Sequence, residues 1–259
     1  MKLSAILLAV LGLSMAACSP SATQLKKVMQ ENPDILHAAI KADPKGFFDV
    51  IQEVQGKARE QSMADQMAGE LTRVLEEMKN PKVVAIDEER AIVGPKDAKV
   101  TIVEWADFNC GHCSTAASTM ERIAEEYKDN VRIIYKHLPI LAKESRTAAE
   151  YMEAIAMQDK AKALKFHSEV FAEQKELRSG GEKFLKEKVA SVGADLKKVL
   201  KDIKSDVVKK RIDSDVAEAQ KFEFNGTPGF MVNGAGVHGA YPYDFFKKVI
   251  DTVIGSGQK

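Results

Sequence analysis

The stretch VTIVEWADFNCGHCSTAA, residues 100–117, changes from a strand-like to a helix-like pattern at a pair of cysteines. Its first part is a β-branched, largely apolar run, which is typical of a buried strand. From Cys110 to Tyr127, small and apolar residues recur at helical spacing, which predicts a helix. We therefore expect Cys110 and Cys113 to lie where a strand turns into a helix.

A second strand is predicted directly after this helix, at NVRIIYKHLPI (residues 130–140), which completes a βαβ unit. Upstream, residues 82–94 predict a strand, a polar turn and a second short strand. Downstream, residues 142–222 or so predict a large helical insertion, in which RSGG (residues 178–181) separates the first helices from two or three more. Two further strands are expected at GTPGFMVNG and GVHGA, and YPYDFFKKVIDTVIG predicts a closing helix. The expected fold is α/β, with the order βαβ, helical insertion, ββα.

The start of a helix favours a thiolate at Cys110. The first backbone N–H groups of a helix lack internal partners, and the aligned peptide dipoles make that end positive. Cys113 lies one helical turn further on, within reach of a mixed disulfide, and His112 adds a positive charge or a hydrogen-bond donor. The pKa of Cys110 should therefore fall well below the free value of about 8.5, and a stable thiolate makes the corresponding disulfide oxidising.

Two other uses of the cysteine pair receive less support. A structural zinc site needs four ligands, whereas His137, His167 and His238 are scattered and there is no second CxxC motif, so we expect no metal. A disulfide that closes so small a loop removes little entropy from the unfolded chain and is a poor structural link. Far along the chain, Thr227-Pro228 leads into a predicted strand, where the proline either takes the cis form or belongs to a plain turn.

VEWADFNCGHC (residues 103–113), the helical insertion and GTPGFMVNG together resemble the DsbA family of thioredoxin-fold oxidoreductases, over about residues 83–255. The resemblance implies that Cys110 is the exposed nucleophile and Cys113 the buried resolving thiol. It also implies that Thr227-Pro228 is cis and binds the substrate chain beside the cysteines, a role in which we include Gly111.

Glu104 matches the position of the acid that lies beneath the active site in the DsbA family, which implies proton transfer to or from Cys113. The alternative is an exposed residue at the end of a strand. Lys136 aligns as the basic counterpart of this acid. No dissociable cofactor is expected, because the cysteine pair is itself the redox centre.

The direction of the reaction stays open. The best-known DsbA enzymes have proline where this chain has Gly111, and Cys-Gly-His-Cys resembles the active sites of eukaryotic protein disulfide isomerases. Those enzymes are less oxidising, at about −180 mV against about −120 mV for DsbA. Forming disulfides, rearranging them, or both, are compatible with the motif. A rival hypothesis is an envelope lipoprotein that uses the thioredoxin-like fold as a scaffold to bind proteins or a metal.

The first residues predict export. Residues 1–17 hold one positive charge, a short apolar run and small residues, which is typical of a secretory signal peptide. MAACSP (residues 15–20) resembles a bacterial lipobox, apart from Met15 in the place of the usual leucine, and implies that Cys18 carries lipid. Ser19 favours the outer membrane. We therefore expect a periplasmic protein anchored by Cys18, with ordinary signal cleavage as the alternative.

Residues 18–82 predict a helical segment ahead of the main domain, residues 83–259. Asn32-Pro33 and Asp43-Pro44 are helix-start patterns. An apolar stripe of this segment must pack on its own domain or on another copy of the chain. Its members are Met63, Met67, Leu71, Val74, Leu75 and Met78. We favour a homodimer or homotrimer through residues 22–80, as in bacterial disulfide isomerases and some lipoprotein relatives of DsbA.

The charges give no reason to expect a nucleic-acid partner, since 38 basic residues balance 38 acidic ones among 259. The resemblance instead implies two other kinds of partner. These are unfolded or misfolded exported proteins with cysteines, and a membrane redox protein of the DsbB or DsbD type.

Overall fold

A computed structural model of the protein describes residues 21–256; the predicted signal peptide and the predicted lipidation site Cys18 lie outside this range. The chain divides into two compact units, one up to Met63 and one from Ala64 onward. Between residues 21 and 256, no helix is long and apolar enough to cross a membrane.

Among the described residues, the helices are α1 (Ala22–Glu31), α2 (Pro33–Ala42), α3 (Pro44–Glu77), α4 (Gly111–Glu126), α5 (Lys143–Ala156), α6 (Lys160–Ala172), α7 (Gln174–Ser191), α8 (Leu196–Asp202), α9 (Asp206–Lys221) and α10 (Tyr243–Ser256). The strands are β1 (Ile92–Val93), β2 (Val100–Ala106), β3 (Val131–His137), β4 (Gly229–Val232) and β5 (Ala235–His238).

The first unit contains α1, α2 and the start of α3. The two predicted helix starts are confirmed, because α2 begins at Pro33 and α3 at Pro44. A proline suits the first helical turn, where its missing N–H would have no partner. The Asp43 carboxylate accepts a hydrogen bond from the N–H of Gly46 at 2.9 Å, which caps α3.

The second unit is built on a mixed sheet with the strand order β1-β3-β2-β4-β5. β2 and β3 are parallel and are joined through α4, and the other pairs are antiparallel. The predicted order βαβ, helical insertion, ββα is therefore confirmed, with α5 to α9 forming the insertion.

Both faces of this sheet are buried. On one face, side chains such as Ile102, Ile133 and Phe230 share a core with helices α4 and α10 and the insertion. On the other face, Val103 and Trp105 pack with residues of α9 and of the segment that follows it. A strand that is buried on both faces reads as a nearly continuous apolar run, which explains the pattern of residues 100–106.

The end of α3 belongs to the second unit. Met67, Leu71 and Met78 pack against its core, and Val74 is fully buried. For this part of the apolar stripe, packing on its own domain has replaced the expected contact with another copy. Met63, in the first unit, is 57% exposed.

The strand predicted at Lys82–Ile86 is wrong, because this segment is not paired with a neighbouring strand. Its backbone bonds to isolated partners instead. The N–H of Lys82 donates to the carbonyl oxygen of Gly234 at 2.9 Å, the N–H of Ala85 donates to Glu218 at 2.8 Å, and the carbonyl oxygen of Ala85 accepts from Lys136 at 2.6 Å. The break predicted at RSGG is confirmed. Gly181 has non-helical backbone angles, φ 51° and ψ −131°, so α7 consists of two helical segments that meet at a kink there.

Candidate active site

The two cysteines lie at the amino end of α4, as predicted. Cys110 is the N-cap residue and Cys113 lies in the first turn. Cys113 is fully buried, as expected, but Cys110 is only 6% exposed, because it packs against the loop that holds Thr227, so the expected exposed nucleophile is nearly buried; both are free thiols. The Cys110 thiol lies 3.3 Å from the carbonyl oxygen of Thr227. The structure thus brings together three residues that the sequence places far apart.

Their surroundings separate the acidities of the two thiols. The pKa of Cys110 is lowered to about 5, chiefly by a hydrogen bond from the Cys113 thiol, with further hydrogen bonds from the side chain of Thr227 and from the backbone N–H groups of Cys113 and His112. Burial opposes this effect. The pKa of Cys113 is raised, first by its burial and then by its hydrogen bond to Cys110. At neutral pH the reduced site therefore holds a thiolate at Cys110 and a neutral thiol at Cys113.

Glu104 is a fully buried carboxyl in β2, not an exposed residue at the end of a strand. It lies opposite Tyr135 of β3 and Phe230 of β4 in the sheet register. Neither of its carboxyl oxygens has a hydrogen-bond partner among the described residues. Burial, together with the nearby charge of Cys110, raises the pKa of Glu104 to about 8. This carboxyl can therefore take up or release a proton near neutral pH.

Lys136 is not the basic counterpart of Glu104. It pairs in register with Trp105, the residue next to Glu104, so it lies on the other face of the sheet. Its ammonium group contacts Glu218 of α9 and the carbonyl oxygen of Ala85. The prediction for Lys136 is wrong because a shift of one residue along a strand moves a side chain to the opposite face of the sheet.

The residues that we predicted to bind the substrate chain lie around Cys110. The Thr227-Pro228 peptide bond is cis. Gly111 and His112 are exposed, and a Cβ added to Gly111 would extend into open space. A cavity of about 270 Å³ lies beside the cis peptide bond, lined by residues 223–228, His238 and Gly239.

Sequence reasoning missed Asp107, three residues before Cys110. Its buried carboxylate accepts hydrogen bonds from the backbone N–H groups of Asn109 at 2.7 Å, Ile140 at 2.8 Å and Leu141 at 2.9 Å. It therefore ties the segment before the cysteines to the segment after β3. Its position, as an acidic residue between a buried strand and a CxxC motif, is the sequence signal that could have identified it.

Comparisons with known proteins agree with this geometry. A thioredoxin family model matches residues 86–252. The chain is 34% identical over 173 residues to a probable disulfide bond formation protein D of Bacillus cereus, which covers 61% of this chain and 76% of the relative.

Two solved structures share the fold. A thioredoxin-like oxidoreductase from Silicibacter pomeroyi is 29% identical and superposes with a TM-score of 0.59, over 65% of this chain and 94% of that structure. ScsC of Proteus mirabilis is 20% identical with a TM-score of 0.58, and the match covers 92% of this chain and 98% of that one. The chain thus belongs to the thioredoxin family and, within it, to the DsbA-like thiol-disulfide oxidoreductases.

Proposed function

We propose that the protein forms and rearranges disulfide bonds in exported proteins of the bacterial periplasm, with Cys110 as nucleophile and Cys113 as resolving thiol. One observation carries this proposal. An acidic, slightly accessible thiol at a helix start lies against the carbonyl oxygen of Thr227, and a buried, neutral thiol lies one turn behind it.

Oxidation starts from the Cys110–Cys113 disulfide. A substrate thiolate attacks the sulfur of Cys110, a mixed disulfide forms, and Cys113 leaves as a thiolate that takes up a proton. A second substrate thiolate then attacks the substrate sulfur of the mixed disulfide, and Cys110 leaves as a thiolate. The substrate loses two electrons and the enzyme gains them. A membrane redox protein of the DsbB type would return the enzyme to its disulfide form.

Isomerisation starts from the dithiol. The Cys110 thiolate attacks a wrong disulfide in the substrate and releases one substrate thiolate, which is free to attack another disulfide of the same chain. When the correct sulfur displaces Cys110, no net electrons are transferred. If the mixed disulfide persists, Cys113 displaces the substrate and leaves it reduced. A DsbD-type partner would then restore the dithiol.

Glu104 supplies the proton that Cys113 needs. A buried cysteine with a raised pKa is a poor leaving group unless an acid protonates it. Glu104 is buried in the strand that leads to the cysteines, its pKa is about 8, and neither of its oxygens is hydrogen-bonded among residues 21–256. Lys136 takes no part in this step, because it faces away from the site.

The substrate chain binds across Thr227, Pro228 and Gly111. Thr227 and Pro228 line the cavity beside Cys110, and Gly111 leaves the space above the helix start open. The exposed His112 stands next to the reacting sulfur and supplies a donor or a charge to a mixed disulfide.

Residues 22–63 hold several copies together. Neither α1 nor α2 buries any residue, yet both display large apolar side chains, as does the start of α3. The exposed ones include Leu25, Val28, Met29, Ile35, Leu36, Phe48, Val50 and Val54. A homodimer or homotrimer would cover them and would bring several redox sites to one misfolded chain. Lipidated Cys18 would hold the assembly at the outer membrane.

The proposal is tested with the mature chain carrying Cys18→Ser, in which Cys110 and Cys113 are the only thiols. This chain should oxidise a dithiol peptide, reduce insulin and refold scrambled ribonuclease. Cys110→Ser should abolish all three activities, whereas Ser118→Ala, in an exposed position of α4, should leave them unchanged. Activity that survives Cys110→Ser would contradict the proposal and would favour the rival hypothesis of a binding scaffold.

A further inference from the structure

The junction between α6 and α7 makes two sets of contacts with residues 108–114, which we call the redox loop. Gln174 is buried, and its side-chain amide donates hydrogen bonds to the carbonyl oxygens of Phe108 at 2.9 Å and Cys110 at 2.8 Å. The ring of Phe171 stacks on that of Phe108 with centroids 4.8 Å apart. The Phe171 carbonyl oxygen accepts a hydrogen bond from Ser114 at 3.0 Å. The helical insertion thus touches the backbone immediately around the nucleophile.

We propose that Gln174 is a positioning residue for the redox reaction, which holds the peptide group of Cys110 so that the first turn of α4 stabilises the thiolate. The inference rests on the proposed role of Cys110 as nucleophile. Through Gln174, the helical insertion helps to set the reduction potential of the cysteine pair.

The contacts explain how Gln174 acts without touching the sulfur. The Cys110 carbonyl oxygen also accepts the N–H groups of Cys113 at 3.1 Å and Ser114 at 3.2 Å. The amide of Gln174 therefore fixes the same peptide group from the side of the insertion. The main donor to the Cys110 thiolate is the Cys113 thiol, and the backbone N–H groups of Cys113 and His112, which lie just beyond this peptide group, add to its stabilisation. A rotation of the peptide group would misalign these donors with the sulfur.

Removal of the amide should act on the reduced form. The carbonyl oxygen of Phe108 would lose the amide donor, and that of Cys110 would keep only the N–H groups of Cys113 and Ser114, so the loop would shift to find other partners. The thiolate would then lose part of its stabilisation. The disulfide form contains no thiolate at Cys110, so it would be affected less. The pair would become a weaker oxidant, because a stable reduced form is what makes a disulfide oxidising.

The test compares Gln174→Met and Gln174→Glu with a matched control, Gln158→Met, in the mature chain with Cys18→Ser. Gln158 is also a glutamine of the insertion whose amide donates to a backbone carbonyl, that of Asp195 at 3.2 Å, but it does not contact the redox loop. Two quantities are measured on each protein. One is the pH midpoint of thiolate absorbance, and the other is the equilibrium constant with glutathione.

Gln174→Met should raise the thiolate midpoint by about one pH unit and make the pair about tenfold less oxidising, which corresponds to about 30 mV. Gln174→Glu should give a larger shift, because it places a carboxyl oxygen opposite two carbonyl oxygens. Gln158→Met should leave both quantities at the wild-type values. If Gln174→Met fails to fold, Gln174→Glu carries the test.

A purely structural role would lower the free energy of unfolding without moving the midpoint or the glutathione equilibrium, and that result would overturn the inference. An effect of the same size in Gln158→Met would overturn it as well. If the wild-type chain itself had no acidic thiolate, the proposed nucleophile would be wrong, and the inference would fall with it.

Discussion

The sulfur of Cys110 lies 3.3 Å from the carbonyl oxygen of Thr227, although the two residues are 117 positions apart in the chain. The contact joins the start of α4 to the loop before β4. It places the sulfur of the proposed nucleophile beside the backbone that is proposed to bind the substrate chain, and it leaves Cys113 buried. From this arrangement follow the order of attack and the separate roles of the two thiols.

Cys113→Ala should trap the substrate on Cys110. With no resolving thiol, a mixed disulfide between Cys110 and a cysteine peptide should accumulate and persist until an external thiol is added. Mass spectrometry of the Cys18→Ser chain would locate the adduct. An adduct that disappears as fast as in the chain with both redox cysteines would contradict a resolving role for Cys113.

The free energy of unfolding of the reduced protein should contain two opposing pH dependences. The pKa of Cys110 is lowered to about 5, so its contribution is present at high pH and is lost as the pH falls through about 5. The pKa of Glu104 is raised to about 8, so its contribution is present at low pH and is lost as the pH rises through about 8. Each amounts to at most about 1.4 kcal/mol per pH unit, and the two nearly cancel between about pH 7 and 8, above the range in which His167, whose pKa burial lowers to about 3, makes stability rise with pH.

Single substitutions should separate the two pH dependences of the free energy of unfolding. Glu104→Gln should make stability rise with pH across this window, and Cys110→Ser should make it fall, by up to about 1.4 kcal/mol per pH unit in each case. Urea unfolding at several pH values measures both. Equal pH profiles for Glu104→Gln and the wild type would mean that the Glu104 carboxyl is not held neutral by burial.

Gly229→Ala should lower the free energy of unfolding by about 1–3 kcal/mol. A Cβ at Gly229 would lie 2.8 Å from the ring of Phe224, which is itself buried against Trp105. Gly226→Ala is the matched control, because nothing lies within 4 Å of its Cβ. Chemical denaturation of both variants measures the difference. Similar losses in the two would show that the close approach to Phe224 is not what matters.

Arg90→Met should cost about 3–5 kcal/mol of the free energy of unfolding. Arg90 is buried and pairs with Glu153 at 2.5 Å and Asp215 at 2.6 Å, so its loss removes the guanidinium that two buried carboxylates share. Among the described residues, this leaves Glu153 only its longer contact with Arg211 at 3.3 Å and that with His137 at 3.0 Å. Lys183→Met, at a side chain that is 86% exposed, should change stability by less than about 0.5 kcal/mol. A change as small as that of Lys183→Met would mean that the ion pairs of Arg90 with helices α5 and α9 contribute little to stability.

Deletion of residues 22–63 should separate isomerisation from oxidation. The cut stops at Met63 because Met67, Leu71 and Val74 belong to the core of the second unit. The shortened chain should be monomeric, should still oxidise a dithiol peptide, and should lose the refolding of scrambled ribonuclease. Light scattering and the two assays measure this. Refolding of scrambled ribonuclease at the full rate by a monomer would contradict the role proposed for this segment.

The parts of the fold that could be predicted are those with a strong hydrophobic periodicity or a strong signal for the start or end of a helix. The βαβ unit around the cysteines, the starts of α2 and α3 at Pro33 and Pro44, and the closing helix all follow from such patterns. The segment 82–86 misled, because a strand-like composition says nothing about whether a neighbouring strand is free to pair with it. Here the side chains of Lys136 and Glu218 take that place.

The candidate site was predictable where a motif marks it and not where distant parts of the chain meet. Cys110 and Cys113 stand out by spacing, and Glu104 through the family pattern. Gln174 could not be found from the sequence, since a single glutamine in an amphipathic helix carries no sign of its target. Only the packing of the insertion places its amide on the carbonyl oxygens of Phe108 and Cys110.

The pH dependence of alkylation at each cysteine tests most directly whether Cys110 is an acidic, accessible thiol and Cys113 a protected one. The reduced Cys18→Ser chain is treated with iodoacetamide over a range of pH, and mass spectrometry gives the rate at each site. We predict that Cys110 reacts with a midpoint near pH 5 and that Cys113 stays unmodified in the folded protein. Equal rates at the two cysteines, with a common midpoint near the free-thiol value of about 8.5, would contradict the account.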